Sequence, residues 1–186
     1  MSTSEIKIGG FGGQGVILTG MIIGKAAAIF DDKYSTMTQA FGPEARGSSC
    51  SSQVLISDNK ILYPYVTRPD VLVVMSQDAA TRFAPELKPD AKSLLLYEKD
   101  LVNLDGISIK GAAYGIPATR FAEELGRTMV LNIVMVGFFT AMAKLISPDA
   151  VRAGVKDSVP RGTEALNLSA FDKGFQYGTE LLKPRA

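Results

Sequence analysis

Residues Ile6–Gly15 read I-K-I-G-G-F-G-G-Q-G, and the fold turns on how this stretch is understood. A short apolar lead runs into five glycines within seven residues. An apolar run from Val16 to Phe30 follows, its polar positions widely spaced. The order is strand, glycine loop, helix. Gly10, Gly12 and Gly15 fit the spacing G-x-G-x-x-G, in which a loop opens a helix beneath a phosphate. Glycine reaches φ > 0 and leaves no Cβ between backbone N–H groups and a ligand. The helix behind it adds its positive dipole end and its unpaired N–H groups. The same glycines would equally serve an empty turn that packs helix closely on sheet. Gln14, at the loop tip, favours a ligand: a side-chain amide both donates and accepts, and a purely structural turn has no need of one.

Outside the loop, composition bounds the function. The chain has 186 residues, which points to a single domain over 1–186 with room for a real core. Apolar residues make up 46% and charged residues 21%, an ordinary globular balance. A net charge of +1 gives no electrostatic case for nucleic acid or an anionic membrane. Cys50 is the single cysteine and there is no histidine. No intrachain disulfide, cysteine-ligated cluster, or Ser–His or Cys–His catalyst can be assembled from this chain alone. No basic segment leads a long apolar one at the N-terminus, so the expected location is cytoplasmic. Met129–Ile146 is the most apolar segment. It carries Asn132, Thr140 and Lys144 and barely reaches the roughly 18 residues of a membrane span, so it reads as a buried helix. The mean hydropathy of +0.14 favours life in an assembly over life as a free monomer.

Taken in order, Glu5–Gly9 is the first strand and Gly15–Phe30 the first helix, ended by a turn at Asp31-Asp32. A short strand is expected at Lys33–Thr36. In dinucleotide-binding folds an acidic residue about 20 positions beyond the glycines holds a ribose hydroxyl. Asp31 and Asp32 precede the strand instead of ending it, which weakens a dinucleotide reading. Thr36–Cys50, T-M-T-Q-A-F-G-P-E-A-R-G-S-S-C, reads as a loop rich in Gly, Pro and small polar residues. It carries Gln39, Glu44 and Arg46, either as a solvated ion pair of little value or as a polar surface gripping an anion or a partner. Ser51–Ser57 and Lys60–Tyr63 look like a hairpin about Asp58-Asn59. Val71–Met75 reads as a central buried strand, with Ser76 capping a helix from Ala79 to Leu87. Strands at Ser93–Tyr97 and from Ile107, and helices at 117–125, 129–146, 149–157 and 163–182, complete the chain. The expected fold is α/β: a three-layer sandwich with a mainly parallel sheet, a Rossmann-like glycine loop and a hairpin insertion. Both loops would then meet at the carboxyl ends of the strands.

Two of these motifs resemble a known family. G-G-F-G-G-Q-G-V followed by T-Q-A-F-G-P-E-A-R-G-S-S is similar to the γ subunit of the 2-oxoacid:ferredoxin oxidoreductases, in which T-Q-x-Y-G-x-E-x-R-G-G follows the glycine loop. Here Phe41 stands for the tyrosine and Ser48 for the last glycine, and neither change removes a charge or an amide. The likeness continues through the D-V-L-V-V-M-S strand, the Asn132 helix and N-L-S-A-F-D-K-G at Asn167, nearly the whole chain. The wording P-E-A-R-G-S-S is most like the 2-oxoglutarate enzymes, with the pyruvate and branched-chain enzymes next.

The resemblance implies oxidative decarboxylation of a 2-oxo acid with coenzyme A to acyl-CoA, CO₂ and reduced ferredoxin. It implies thiamine diphosphate, Mg²⁺ and [4Fe–4S] clusters on other chains: α and β subunits and a ferredoxin-like subunit, with ferredoxin as electron acceptor. It gives this chain no catalytic residue and no cofactor of its own, only assembly and the CoA side of the site. The binding residues it implies are Gly10, Gly12, Gly13, Gln14 and Gly15 on the first loop. On the second they are Thr38, Gln39, Glu44, Arg46 and Gly47. A stand-alone nucleotide- or dinucleotide-binding domain and a scaffold with an empty loop are the alternatives.

Overall fold

The computed structural model describes residues 3–42 and 48–183. Six strands, β1 (Ser4–Phe11), β2 (Tyr34–Phe41), β3 (Ser49–Ser57), β4 (Val71–Val74), β5 (Leu94–Glu98) and β6 (Ala112–Ile116), form one sheet in the order β2-β3-β1-β4-β5-β6. Four of them, β1, β4, β5 and β6, run parallel. β3 lies antiparallel to both β1 and β2. The sheet is therefore mixed, with a parallel half and an antiparallel half that meet at β1.

Six α-helices pack on it: α1 (Val16–Lys25), α2 (Gln77–Phe83), α3 (Ala118–Glu124), α4 (Leu131–Ala143), α5 (Pro148–Ser158) and α6 (Glu164–Leu181). Ile6, Ile8, Val54, Val71, Val73 and Leu96 face the large layer of α1 and α3–α6. Leu72, Val74 and Leu95 face the other way, toward α2 alone. That alternation along β4 is why V-L-V-V has no polar position: each face of a central parallel strand is covered. The three layers are real but unequal.

The hairpin lies elsewhere than the sequence suggests. β2 runs on to Phe41 and pairs with β3 over its whole length, Tyr34 opposite Ser57 and Phe41 opposite Cys50. Thr38 and Gln39 thus belong to a strand and not to a loop. The serines and threonines that read as loop composition occupy the pleat of an outer strand, where one side of the ribbon is half exposed. Lys60–Tyr63 forms no strand; Leu62 is 87% exposed, and Pro64 follows at once. The segment at Ile107–Ile109 packs on the minor core as a loop, and the strand comes five residues later at Ala112. The first helix ends in a π-turn at Ala26–Phe30, followed by the expected turn, in which Asp32 takes φ 53°.

α4 is buried from Asn132 to Met142 and lies in the core as a 13-residue helix. It runs in the same direction as α6, with Gly137 against Phe171 and Gly174 against Val134. A Cβ on either glycine would fall inside the van der Waals envelope of the opposite backbone carbonyl, so the two helices touch main chain to main chain. Among the described residues no helix is long and apolar enough to cross a membrane.

Candidate functional site

The glycine loop leaves β1 at Phe11 and enters α1 at Val16, at the edge where the parallel strands end. Gly13 and Gly15 adopt φ 99° and 73°, which only glycine takes without strain. Gly15 is the N-cap of α1 and contributes no side chain to it. Gly13 and Gly15 N–H find no acceptor among the described residues, and Gly12 and Gly13 are exposed. Gly10 sits under the turn, where a Cβ would meet Gln14 Oε1 at 2.7 Å and Val16 at 2.9 Å. It serves closure of the loop.

Gln14 behaves differently from the expectation. Its Oε1 accepts from Phe11 N–H at 2.7 Å and its Nε2 donates to the Met75 carbonyl at 2.7 Å. The amide ties the loop to the end of β4. A structural turn does have a use for it, because two backbone groups at the strand ends would otherwise lack partners.

The second loop is the tip of the β2–β3 hairpin. It is brought to the same edge, since β2 and β1 run in the same sense on either side of β3. Gly12 N–H donates to the Ser48 carbonyl at 2.9 Å, and Gly42 N–H to the Ser49 carbonyl at 2.9 Å. Thr38 and Gln39 lie opposite Gln53 and Ser52, inside the strand and away from the tip. Glu44, Arg46 and Gly47 lie outside the described residues. What the structure joins is Gly12, Gly13 and Gly15 with Ser48.

Sequence reasoning did not single out Asn132 as a site residue. It sits in the first turn of α4, is 3% exposed, and packs on Gly15: a Cβ there would come within 2.6 Å of its amide. A lone amide in the most apolar stretch of the chain was the available signal. Asp31 and Asp32 lie at the far end of α1, where Asp31 accepts from Ser147 Oγ at 2.6 Å and pairs with Lys33 at 3.6 Å. They cannot reach a ribose at the glycine loop. A cavity of about 670 Å³ opens there too, beside Lys144 and Leu182, remote from the loop.

The residues present do not fit an iron–sulfur cluster ligated by this chain alone. A [4Fe–4S] cluster needs four thiolates, and the chain has Cys50 alone. That thiol is buried, and burial pushes its pKa up, away from the reactive thiolate. Among the described residues there is no cluster of three His, Cys, Asp or Glu side chains fit to hold a metal. Among the described residues, the loop presents a surface of backbone donors at a helix N-terminus, suited to binding an anion.

A family model described as pyruvate ferredoxin/flavodoxin oxidoreductase matches residues 5–177. The chain is 44% identical over 179 residues to the 2-oxoglutarate synthase subunit KorC of Methanocaldococcus jannaschii, covering 95% of each. Its fold is similar to that of the γ subunit of a keto/oxoacid ferredoxin oxidoreductase from Geobacter sulfurreducens: TM-score 0.82, 31% identity, 95% of this chain and 99% of that one. It also resembles part of the 2-oxoglutarate:ferredoxin oxidoreductase of Magnetococcus marinus, solved with 2-oxoglutarate, coenzyme A and succinyl-CoA bound. There the TM-score is 0.84 at 25% identity, over 98% of this chain and 32% of that one.

Proposed function

The chain belongs to the pyruvate ferredoxin/flavodoxin oxidoreductase family, and we propose that within it this is the γ subunit of a 2-oxoglutarate:ferredoxin oxidoreductase. The complex oxidatively decarboxylates 2-oxoglutarate with CoA to succinyl-CoA, CO₂ and reduced ferredoxin. Thiamine diphosphate, Mg²⁺ and the iron–sulfur clusters reside on α, β and ferredoxin-like subunits, and this chain contributes the CoA side of the site and its assembly. The higher identity to a 2-oxoglutarate synthase subunit, 44% against 30% for a pyruvate synthase subunit matched over a similar length, favours 2-oxoglutarate over pyruvate.

The single observation behind the CoA role is the pair of N–H groups on Gly13 and Gly15 that find no acceptor among the described residues, at the N-terminus of a ten-residue helix. A phosphate of CoA or a partner's carboxylate would satisfy them and gain from the helix dipole. Arg46 supplies a forked donor to the same anion and Glu44 holds it; both assignments come from the sequence. A stand-alone dinucleotide-binding domain loses its ribose-holding acid, because Asp31 and Asp32 lie at the wrong end of α1.

Replacing Arg46 with Ala in the assembled enzyme tests this. The expected result is a raised KM for CoA with kcat retained at saturation, or loss of subunits on gel filtration. Unchanged CoA kinetics in an intact complex would remove Arg46 and the anion from the account.

A further inference from the structure

β2 closes one end of the sheet, and no strand lies beyond it. Natural sheets guard such an edge with a charge, a proline, a bulge or a short strand. β2 has none of these. Y-S-T-M-T-Q-A-F is eight residues long, uncharged and free of proline, and its register with β3 runs unbroken from Tyr34–Ser57 to Phe41–Cys50. The phase of its hydrogen bonds follows from the end of the ladder. Gly42 N–H donates to the Ser49 carbonyl, so the even-numbered residues of β2 bond to β3. Ser35, Met37, Gln39 and Phe41 therefore turn their N–H and C=O groups outward, and none of these groups meets another backbone partner among the described residues.

Above this edge stands α1. It crosses from β3 to β2, since a Cβ on Gly20 would meet Ser52 Oγ at 2.5 Å and one on Gly24 would meet Ser35 Oγ at 3.2 Å. Met21 comes about 100° beyond Gly20 around the helix. It lies on the outer flank, overhanging the open edge, and is 43% exposed. Phe41 shares a face of β2 with Ser35 and Met37, and is 64% exposed at the other end of the strand.

We propose that β2 pairs antiparallel with β2 of a second copy of this chain, about a two-fold axis at Thr38, so that one sheet runs through both copies. This register sets Ser35 of one copy against Phe41 of the other, and Met37 against Gln39. All four outward residues of each strand then exchange their hydrogen bonds. The same register brings Phe41 of each copy beneath the Met21 flank of the other, where α1 overhangs Ser35, and two exposed apolar side chains cover each other. A second copy fits here better than an arbitrary strand, because knob and overhang lie at opposite ends of one strand, as an isologous contact requires. With no charge on β2, no like charges are set side by side. Antiparallel pairing points the two glycine loops to opposite ends of the pair.

The full-length chain is tested by light scattering on gel filtration and by amide hydrogen exchange. The expected result is a dimer in which the N–H groups of Ser35, Met37, Gln39 and Phe41 exchange slowly. Across the axis the two Thr38 side chains form a non-hydrogen-bonded pair, the closest approach in an antiparallel ladder. Thr38→Lys and Thr38→Glu are each expected to halve the mass and to speed exchange at those four amides, while the even-numbered amides of β2 stay protected by β3. Mixing the two variants restores the dimer, which a misfolded variant would not do.

A monomeric wild-type chain overturns the proposal. So does a dimer that survives both substitutions, because another surface would then join the copies. Slow exchange at the four amides that appears only on adding companion subunits also overturns it, and gives the edge to a companion strand. Failure of the mixed variants to regain the dimer overturns it as well.

Discussion

At the residue scale, Gln14 is the clearest case of a side chain whose role the motif did not reveal. Its amide satisfies Phe11 N–H and the Met75 carbonyl at once. Gln14→Ala leaves two backbone groups at the strand ends short of partners. One of the two bonds is exposed and the other only partly buried, so the expected loss is about 0.5–1.5 kcal/mol of stability, read as a lower denaturation midpoint in urea at unchanged slope. An unchanged midpoint would mean that water replaces the amide at no cost. The glycines themselves were legible, because positive φ at Gly13 and Gly15 leaves few alternatives. The amide was not, because a glutamine in a loop can bond inward or outward and only the position of Met75 decides. Asn132 was hidden for a related reason. Its neighbour Gly15 lies far away in sequence, and no local pattern connects the two.

Strands and helices divide along the same line. The buried strand at Val71–Val74, the core helix at α4 and the closing helix α6 follow from runs of apolar residues or from helical periodicity, which tertiary contacts only reinforce. The edge strand β2 does not. Y-S-T-M-T-Q-A-F carries half-buried hydroxyl side chains whose pairing partner, β3, lies beyond a seven-residue tip. A glycine and a proline at that tip drew the loop too early. The helix seam gives a prediction at this scale. Gly137→Ala places a methyl against the Phe171 carbonyl, and backbone has no rotamer with which to yield. The expected destabilisation is about 1–3 kcal/mol or more, visible as a lowered melting temperature. By contrast, Gly126→Asn at a helix end, where a Cβ meets nothing but φ is 81°, costs only about 1 kcal/mol or less, because asparagine tolerates the left-handed conformation best after glycine. Equal effects of the two substitutions would refute the close approach of α4 and α6.

Over the whole molecule, the mixed sheet explains why one edge gathers the candidate site. The parallel half ends there by strand direction, and the antiparallel hairpin reaches it because its turn lies on that side. Ser48 against Gly12 is the joint between them. The chain has no histidine and its one cysteine is buried, so among the described residues this edge presents mainly backbone hydrogen-bond donors. The isolated chain is accordingly expected to show no 2-oxoglutarate-dependent dye reduction, with activity returning when the companion subunits are added. Turnover by the purified single chain would contradict the division of labour proposed above.

The main-chain contact between α4 and α6 also governs what lies at the top of those two helices. They start side by side and line one apolar cavity of about 350 Å³ beside the glycine loop, so a substitution lower down, where glycine meets backbone, is expected to move both walls of that opening. The pair works like a caliper: a single methyl wedged into the closed shank spreads the jaws. Affinity for whatever the jaws grip is therefore set partly by residues that never touch it.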